Sequence, residues 1–205
     1  MDYIKQYKFK TDVSPIFLKE IIPLTRGKKV VDLGCGQGEH LKYFGPESIG
    51  FDISPKNIEM ARKYGMKVKR SNMNRPPRLP EKYEVVFSSH LIEHLENPVD
   101  FLRYTKKLIR NNGLLVLSFP NEYSVIHLKH PYFTYNGNHL YSLSLRNIEE
   151  LLEYVGYKEV TVYYDYYTAL SRNLGIDPLL GIINYFPEPV RQYLAWSFWI
   201  VAKKK

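Results

Sequence analysis

The sequence predicts an α/β fold in which helices cover both faces of a largely parallel sheet. Along the 205 residues, short apolar runs alternate with stretches whose apolar residues recur at helical spacing. Strands that alternate with helices in this way build βαβ units, and a chain of this length is most simply one domain. We therefore expect a single domain over 1–205, with a helical segment at 1–28 before the first strand.

Seven apolar runs predict the strands of this sheet. Five of them precede residue 120, and two follow in the C-terminal third. Their short length and apolar character are typical of strands in α/β folds. In chain order they are KVVDL (29–33), SIGFDI (48–53), KVKR (67–70), YEVVFSS (83–89), LLVLSF (114–119), YKEVTVYYDYY (157–167) and WSFWIVAKKK (196–205).

Four amphipathic stretches predict the helices between these strands. Ser54 and Ser144 are typical N-caps, and Gly65 and Gly156 follow the last turns of the same two helices. The run 111–113, Asn-Asn-Gly, is expected to end the third helix in the same way. The four stretches are 38–44, 54–65, 97–113 and 144–156.

Three glycines on alternate positions follow the first predicted strand, within VVDLGCGQGEHL (30–41). Glycines at this place let the backbone pass close to a ligand and leave N–H groups free to contact it. A dinucleotide-binding loop would need glycine at position 39, which is Glu39, and no Gly-Lys-Ser/Thr of a phosphate-binding loop follows. The loop has instead a carboxylate, Asp32, two residues before its first glycine, and this suits a positively charged ligand.

A second carboxylate, Asp52, ends the next predicted strand, 14 residues after Gly38. Ligands of open α/β sheets bind outside the carboxyl ends of the strands. An acid at that place can accept hydrogen bonds from both hydroxyls of a ribose, and losing them would leave a charged group without partners.

These motifs resemble those of the class I S-adenosylmethionine-dependent methyltransferases. VVDLGCGQG is similar to the first motif of that family, and FDIS is similar to the second. SSHLIEHLENP (88–98) and HLYSLSLRNIEELLEYVGY (139–157) are similar to later segments of its type 11 group, which includes ubiquinone-biosynthesis-like O-methyltransferases. The resemblance covers about residues 27–165 and implies a Rossmann-like, seven-stranded, mostly parallel sheet with S-adenosyl-L-methionine as its cofactor.

The resemblance also implies which residues bind this cofactor. The glycine loop would line its methionine part, Asp32 would hold the amino group, and Asp52 would accept the ribose hydroxyls. Ile53 would pack on the adenine, and Asn72 stands where the family often has an acid for the adenine amino group. The full expected set is Asp32, Gly34, Cys35, Gly36, Gln37, Gly38, Asp52, Ile53, Asn72, Met73 and Ser88.

Three histidines are the candidate catalytic groups. His90 and His94 follow the fourth predicted strand, where the acceptor should approach, and His139 precedes the last predicted helix. A histidine suits the role of general base if the acceptor must lose a proton. A helix beginning at residue 90 would place His90, Glu93 and His94 on one face. We expect no metal, and a metal site built from those three residues is the weaker alternative.

Two segments, 120–142 and 166–195, are expected to cover the acceptor. The first holds Tyr132, Phe133, Tyr135 and Tyr141, which could stack on a flat acceptor. In the second, an apolar stripe could serve as core or lid packing, form a dimer contact or lie on a membrane surface. The stripe consists of Leu179, Leu180, Ile182, Ile183 and Phe186.

Charge and composition set the remaining expectations. The net charge is +8, and the segment 61–82 holds eight basic residues against one acid, which keeps an RNA or DNA methyltransferase as an alternative. A single cysteine and the lack of a signal-like or membrane-spanning run favour a cytoplasmic protein. We expect a small-molecule, lipid or glycan acceptor methylated on O or N, with a homodimer and a peripheral membrane contact left open. A non-catalytic, cofactor-binding partner subunit is the third alternative.

Overall fold

The computed structural model of the protein describes residues 13–124, 139–166 and 177–204, with the backbone alone at 177–180. Its centre is a sheet of seven strands in the order β3-β2-β1-β4-β5-β7-β6. All neighbouring pairs from β3 to β5 are parallel, whereas β7 runs antiparallel to both β5 and β6. The strands are β1 (Val30–Leu33), β2 (Ile49–Asp52), β3 (Val68–Arg70), β4 (Tyr83–Ser89), β5 (Ile109–Pro120), β6 (Tyr157–Asp165) and β7 (Ser197–Lys204).

Helices lie on both faces of the sheet, which confirms the predicted fold class. One buried cluster includes Phe101 and Ile148, from helices on one face, and a second includes Phe17 and Ile58, from helices on the other. A π-helical turn, Phe17–Ile21, leads into α1, and 3-10 helices occupy Leu41–Tyr43, Ile92–His94 and Asp177–Tyr185. The α-helices are α1 (Ile22–Thr25), α2 (Pro55–Lys63), α3 (Pro98–Leu108), α4 (Leu145–Val155) and α5 (Glu188–Leu194).

The predicted capping residues explain where α2 and α4 begin. The hydroxyl of Ser54 accepts the N–H of Asn57 at 3.3 Å, and that of Ser144 accepts the N–H of Asn147 at 3.1 Å. Gly156 ends α4 in the left-handed conformation, with φ +87°. Both helices therefore keep the bounds that their caps predict, to within about two residues.

The helix predicted over 38–44 is wrong, because only Leu41–Tyr43 is helical there, as a 3-10 turn. Gly38 has φ +86°, and Phe44 is already extended. The N–H of Gly45 then donates to the carbonyl of Lys28 at 2.9 Å. This bond ties the segment back to the start of β1 and leaves too few residues for an α-helix.

The predicted end of the third helix at 111–113 is also wrong. The helix α3 stops at Leu108, and β5 begins with Ile109, which is fully buried and pairs with Tyr83. Asn112 has φ +59° inside this strand, near the place where the register with β4 shifts. The helix therefore ends where Ile109 enters the sheet, before the two asparagines that were predicted to end it.

The C-terminal stripe is only partly packed. Ile183 contacts the larger core cluster, but Ile182 is 58% exposed and Phe186 is 47% exposed. These two residues therefore do not pack in the core, while lid packing, a dimer contact and a membrane contact stay predictions for the stripe. The side chains of Leu179 and Leu180 lie outside the described residues. Within the described part of the chain, no helix has the length and apolar character needed to cross a membrane.

Gly50 lies in the middle of β2 and lets the glycine loop pack against this strand. A Cβ at Gly50 would lie 2.6 Å from both the sulfur of Cys35 and a methyl carbon of Leu41. We expect Gly50→Ala to lower the free energy of unfolding by about 1–3 kcal/mol, because an overfilled core must shift its neighbours. Urea unfolding measures this loss.

Gly181→Ala is the matched control for that substitution, because a Cβ at Gly181 meets no atom within 4 Å. We expect its urea midpoint to stay close to that of the parent chain. Equal midpoints for the two variants would contradict the close packing assigned to Gly50.

Candidate active site

The candidate site lies at the carboxyl ends of three adjacent strands. In the sheet, β1 lies between β2 and β4. The ends of these strands carry the glycine loop, Asp52 and His90, respectively. Strand order reverses between β1 and β4, and this topological switch point is where open α/β sheets bind their ligands.

The glycine loop folds back over the end of β2. The N–H groups of Gly34 and Cys35 both donate to the carbonyl of Phe51, at 2.7 and 2.9 Å. The N–H of Gly36 donates to the Asp52 carboxylate at 2.9 Å. The three loop glycines, at 34, 36 and 38, have φ values of +81°, +55° and +86°, which only glycine adopts without strain. The loop conformation therefore requires the glycine pattern that the sequence shows.

Asp32 is a buried carboxylate at the base of this loop. It is 1% exposed, and its Oδ2 atom accepts no hydrogen bond from the described residues. Burial, followed by the nearby carboxylates of Glu39 and Asp52, raises the pKa of Asp32 well above its usual range. A carboxylate in this setting is stabilised when a cation binds beside it.

Asp52 is held by three donors from its own chain. Its Oδ1 accepts the N–H of Ser54 at 2.8 Å and the side-chain amide of Asn57 at 3.2 Å, while Oδ2 accepts the N–H of Gly36. The sequence did not single out Asn57, although its place three residues after the N-cap Ser54 aims it at the end of β2. These bonds fix the orientation of the carboxylate at the edge of the crevice.

Two loop residues and Ile53 complete this half of the site. Ile53 is 57% exposed beside Asp52, so its side chain offers an apolar surface, and Gln37 is partly exposed in the loop. Cys35 is buried, and its burial, together with the nearby Asp32, raises the pKa of its thiol. A thiol in this state packs and does not act as a nucleophile.

Asn72, Met73 and Ser88 have contacts in the structure that the sequence did not predict. Asn72 is exposed and accepts the N–H of Asn74 at 2.9 Å, which is a local turn, while Met73 is buried in the larger core cluster. Ser88 is fully buried and donates to the carbonyl of Leu33 at 2.9 Å, which joins the ends of β4 and β1. The segment that carries Asn72 still lies beside Asp52, because the N–H of Ser71 donates to the Asp52 carbonyl at 2.9 Å.

The segment after β4 brings His90 next to the glycine loop. A Cβ at Gly34 would lie 3.2 Å from the side chain of Leu91, so Leu91, the residue after His90, packs directly on the loop. His90 has φ +50°, and the helical turn covers only Ile92–His94. The helix expected to begin at residue 90 is therefore wrong.

The side chains after β4 nevertheless meet around Glu93. The Glu93 carboxylate lies 3.6 Å from Nδ1 of His90 and 4.0 Å from Nε2 of His94. The rings of His94 and His139 lie 4.7 Å apart, edge to face. All three histidines that the sequence proposed thus belong to one cluster, which is partly open to solvent.

Glu122 is a member of the cluster that the sequence did not reveal. Its Oε1 lies 2.5 Å from Nδ1 of His139, and its other oxygen accepts the hydroxyl of Ser142. Glu122 lies in a segment without periodicity, 17 residues before its partner histidine, and no local pattern links the two. The residues His127, His130, Tyr132, Phe133 and Tyr135 lie outside the described residues.

This sheet order, with a glycine loop after β1 and an acid ending β2, defines the class of Rossmann-like methyltransferase domains. The family described as "Methyltransferase domain" matches residues 4–162 of the chain. The chain belongs to this family, the class I methyltransferase domains that use S-adenosylmethionine.

Relatives and solved structures agree with that assignment. The chain is 29% identical over 127 residues to a ubiquinone biosynthesis O-methyltransferase of Pelagibacter ubique, covering 58% of this chain and 49% of the relative. It is 34% identical over 103 residues to the mitochondrial enzyme of the same name in Schizosaccharomyces pombe, covering 45% and 38%. A SAM-dependent methyltransferase from Archaeoglobus fulgidus superposes with a TM-score of 0.69 at 26% identity, over 91% of both chains. The chain spans about half the length of the curated relatives it matches.

Proposed function

We propose that this chain transfers the methyl group of S-adenosylmethionine to an oxygen atom of a small-molecule acceptor. The observation that carries the proposal is the buried Asp32 carboxylate at the base of the glycine loop, whose Oδ2 accepts no hydrogen bond from the residues that the structure describes. Oxygen is favoured as the acceptor atom because the matched relatives are named O-methyltransferases.

The residues around the loop fit this cofactor. The ammonium group of its methionine part would pair with Asp32, which offsets the cost of burying that carboxylate. The loop tolerates no side chain at two of its glycines, since a Cβ at Gly36 would lie 3.1 Å from the Glu39 carboxylate and one at Gly38 would lie 2.9 Å from Met66. When bound, the cofactor supplies an electrophilic methyl group on a sulfonium.

Asp52 would accept the ribose hydroxyls. A carboxylate offers about four acceptor positions, and three of those on Asp52 are filled by donors of the chain. Two ribose hydroxyls would therefore displace one of these donors. The side-chain amide of Asn57, at 3.2 Å, is the donor that can rotate away without moving the backbone.

The adenine would lie on Ile53, whose exposed side chain is next to Asp52. Asn72 can still accept the adenine amino group, because a carbonyl oxygen has two lone pairs and the Asn74 N–H uses one. Met73 would support the cofactor crevice from its buried position in the core. Ser88 would act indirectly, by holding the ends of β1 and β4 together.

His90 is the histidine we assign as the general base. It is 44% exposed, and it adjoins Leu91, which packs on the glycine loop. An unprotonated ring nitrogen would take the hydroxyl proton of the acceptor as its oxygen becomes the nucleophile. Such a base contributes roughly 10²–10⁴-fold to the rate.

A transfer assay with labelled cofactor tests the proposal. The purified chain is incubated with methyl-labelled S-adenosylmethionine and matched panels of phenols, alcohols and amines, and the labelled products are identified by mass spectrometry. We expect label on oxygen, and we expect His90→Gln to lower turnover roughly 10²-fold while cofactor affinity is unchanged. Label on amines alone would contradict the acceptor assignment, and cofactor binding without any turnover would favour a non-catalytic partner subunit.

Several finer expectations stay predictions. A lipid or glycan acceptor, a peripheral membrane contact, a homodimer and a cytoplasmic location rest on the sequence alone. The basic segment 61–82, which spans the end of α2 and β3, supports the nucleic-acid alternative. Binding of RNA or DNA that persists at about 0.2 M salt would favour that alternative over a small-molecule acceptor.

A further inference from the structure

A basic groove lies at the outer edge of the sheet, between α2 and β3. Among the described strands, β3 is the last on that side and pairs with β2 alone. The groove has a volume of about 460 Å³, which is within the range of small-molecule sites. Its lining consists of Pro55, Ile58, Glu59, Arg62, Lys63 and Arg70.

The strand directs Arg70 into this groove. Side chains alternate between the two faces of a strand, so Arg70 points to the same face as Val68. Val68 is buried in the cluster that contains Ile58 of α2. Arg70 therefore lies on the face that α2 covers, opposite Arg62 in the last turn of that helix.

Both arginines are tied to the backbone by one nitrogen each. The Nη2 group of Arg62 donates to the carbonyl of Val68 at 3.4 Å, and Nε of Arg70 donates to the carbonyl of Ile53 at 3.1 Å. A guanidinium group has five N–H donors. Each side chain is therefore held in one orientation while most of its donors stay available to a ligand.

The groove has more positive charge than its own acid can balance. Its single acid, Glu59, pairs with Lys63 at 2.7 Å. Arg62 and Arg70 form no salt bridge with a carboxylate that the structure describes. Exposed arginines elsewhere do pair with carboxylates, namely Arg103, Arg110 and Arg146. An anionic ligand is therefore the partner that fits this groove.

The spacing of the two anchor points favours a ligand with two linked phosphate groups. Asp52 pairs with Arg70 in the sheet, so Ile53 lies about one residue beyond Arg70 and three beyond Val68. Three residues of strand span roughly 10 Å. One phosphate group with two hydrogen bonds of about 2.9 Å spans less than this distance, whereas a diphosphate group can reach both arginines.

We propose that Arg62 and Arg70 bind the diphosphate group of an organic anion, with one guanidinium on each phosphate. The planar guanidinium matches phosphate oxygens through paired hydrogen bonds. Pro55, which is exposed at the start of α2, would contact the organic part of the ligand. This ligand is distinct from the methyl acceptor, because β2 and β1 separate β3 from β4, whose end carries His90.

Calorimetric titration with uridine diphosphate, inorganic diphosphate and inorganic phosphate tests the site without any methyl transfer. The titrations use a magnesium-free buffer at an ionic strength of about 0.1 M. We expect one uridine diphosphate per chain, and inorganic diphosphate should bind about 10-fold more tightly than inorganic phosphate. Arg62→Gln and Arg70→Gln should each weaken the binding of uridine diphosphate about 10-fold, because each removes charge-assisted hydrogen bonds.

Arg75→Gln is the matched control. It removes an exposed positive charge from the same basic segment, 61–82, but Arg75 does not line the groove. We expect this variant to bind uridine diphosphate as the parent chain does. Arg62 and Arg70 are also exposed, so all three variants should fold, and thermal unfolding checks this.

Equal affinity for uridine diphosphate in the parent chain, Arg62→Gln and Arg70→Gln would overturn the site. Equal weakening in Arg75→Gln would also overturn it, because net charge alone would then explain the binding. Absence of binding would leave the arginines as charges that discourage pairing at an edge strand. Binding of single-stranded RNA by a chain that does not bind uridine diphosphate would replace the site with a nucleic-acid surface.

Discussion

Asp52→Asn is expected to lower the affinity of the chain for S-adenosylmethionine about 100-fold, which is about 2.7 kcal/mol. The asparagine keeps one oxygen, which can still accept the N–H of Ser54, so the start of α2 is preserved. It loses the charge and one acceptor, and the hydrogen bonds from two ribose hydroxyls weaken accordingly. Isothermal titration calorimetry measures the change directly.

Asp100→Asn is the matched control for this substitution. It makes the same chemical change on an exposed residue of α3, where the aspartate pairs with Arg103. We expect the affinity of this variant to equal that of the parent chain. Unchanged affinity in Asp52→Asn would remove Asp52 from the cofactor site.

Asp32→Asn is expected to change stability and affinity in opposite directions. Without ligand and above the folded-state pKa of Asp32, the variant should be more stable by about 1–3 kcal/mol, because it no longer buries a charged carboxylate whose Oδ2 accepts no hydrogen bond from the described residues. With ligand, it should bind S-adenosylmethionine more than 100-fold less tightly, because the ammonium group of the cofactor would lose its buried counter-charge, a cost of about 3 kcal/mol. Urea unfolding and calorimetry on the same samples measure both effects.

The raised pKa of Asp32 adds a dependence on pH. Burial raises this pKa above the ordinary value of 3.8, so the folded chain retains a proton that the unfolded chain releases between the two pKa values. The free energy of unfolding of the ligand-free chain therefore falls as the pH rises through this window. The loss of stability due to Asp32 reaches its full size above the folded-state pKa. In Asp32→Asn this contribution should be absent. An identical pH dependence in both proteins would contradict the burial assigned to the carboxylate.

The sequence predicted the sheet better than the helices. All seven strands formed within a few residues of their predicted runs, except that β5 begins five residues early, at Ile109. A continuous apolar run predicts a buried strand directly. Residues that typically end a helix are a weaker signal, because tertiary contacts can override them. Ile109 pairs with Tyr83 in the sheet, so α3 ends before the asparagines that were expected to end it. After Gly38, the hydrogen bond from Gly45 to Lys28 leaves no room for the predicted helix.

The candidate site was predicted where its residues are close in sequence. Asp32 and the glycine loop form one local motif, and Asp52 ends the strand beside it, so their meeting follows from the parallel order of β1 and β2. The contact of His139 with Glu122 could not be predicted in this way. The two residues flank the segment 125–138 and meet only when the chain is folded. The same is true of the burial of Glu93, whose carboxylate oxygens accept no hydrogen bond from the described ranges of the chain.

The structure of the chain in complex with S-adenosylhomocysteine, the demethylated product, tests the central claim most directly. The account predicts that the product lies across the ends of β1 and β2, with its amino group on Asp32 and both ribose hydroxyls on Asp52. Product bound elsewhere, or a crevice that stays empty at saturating product, would contradict it.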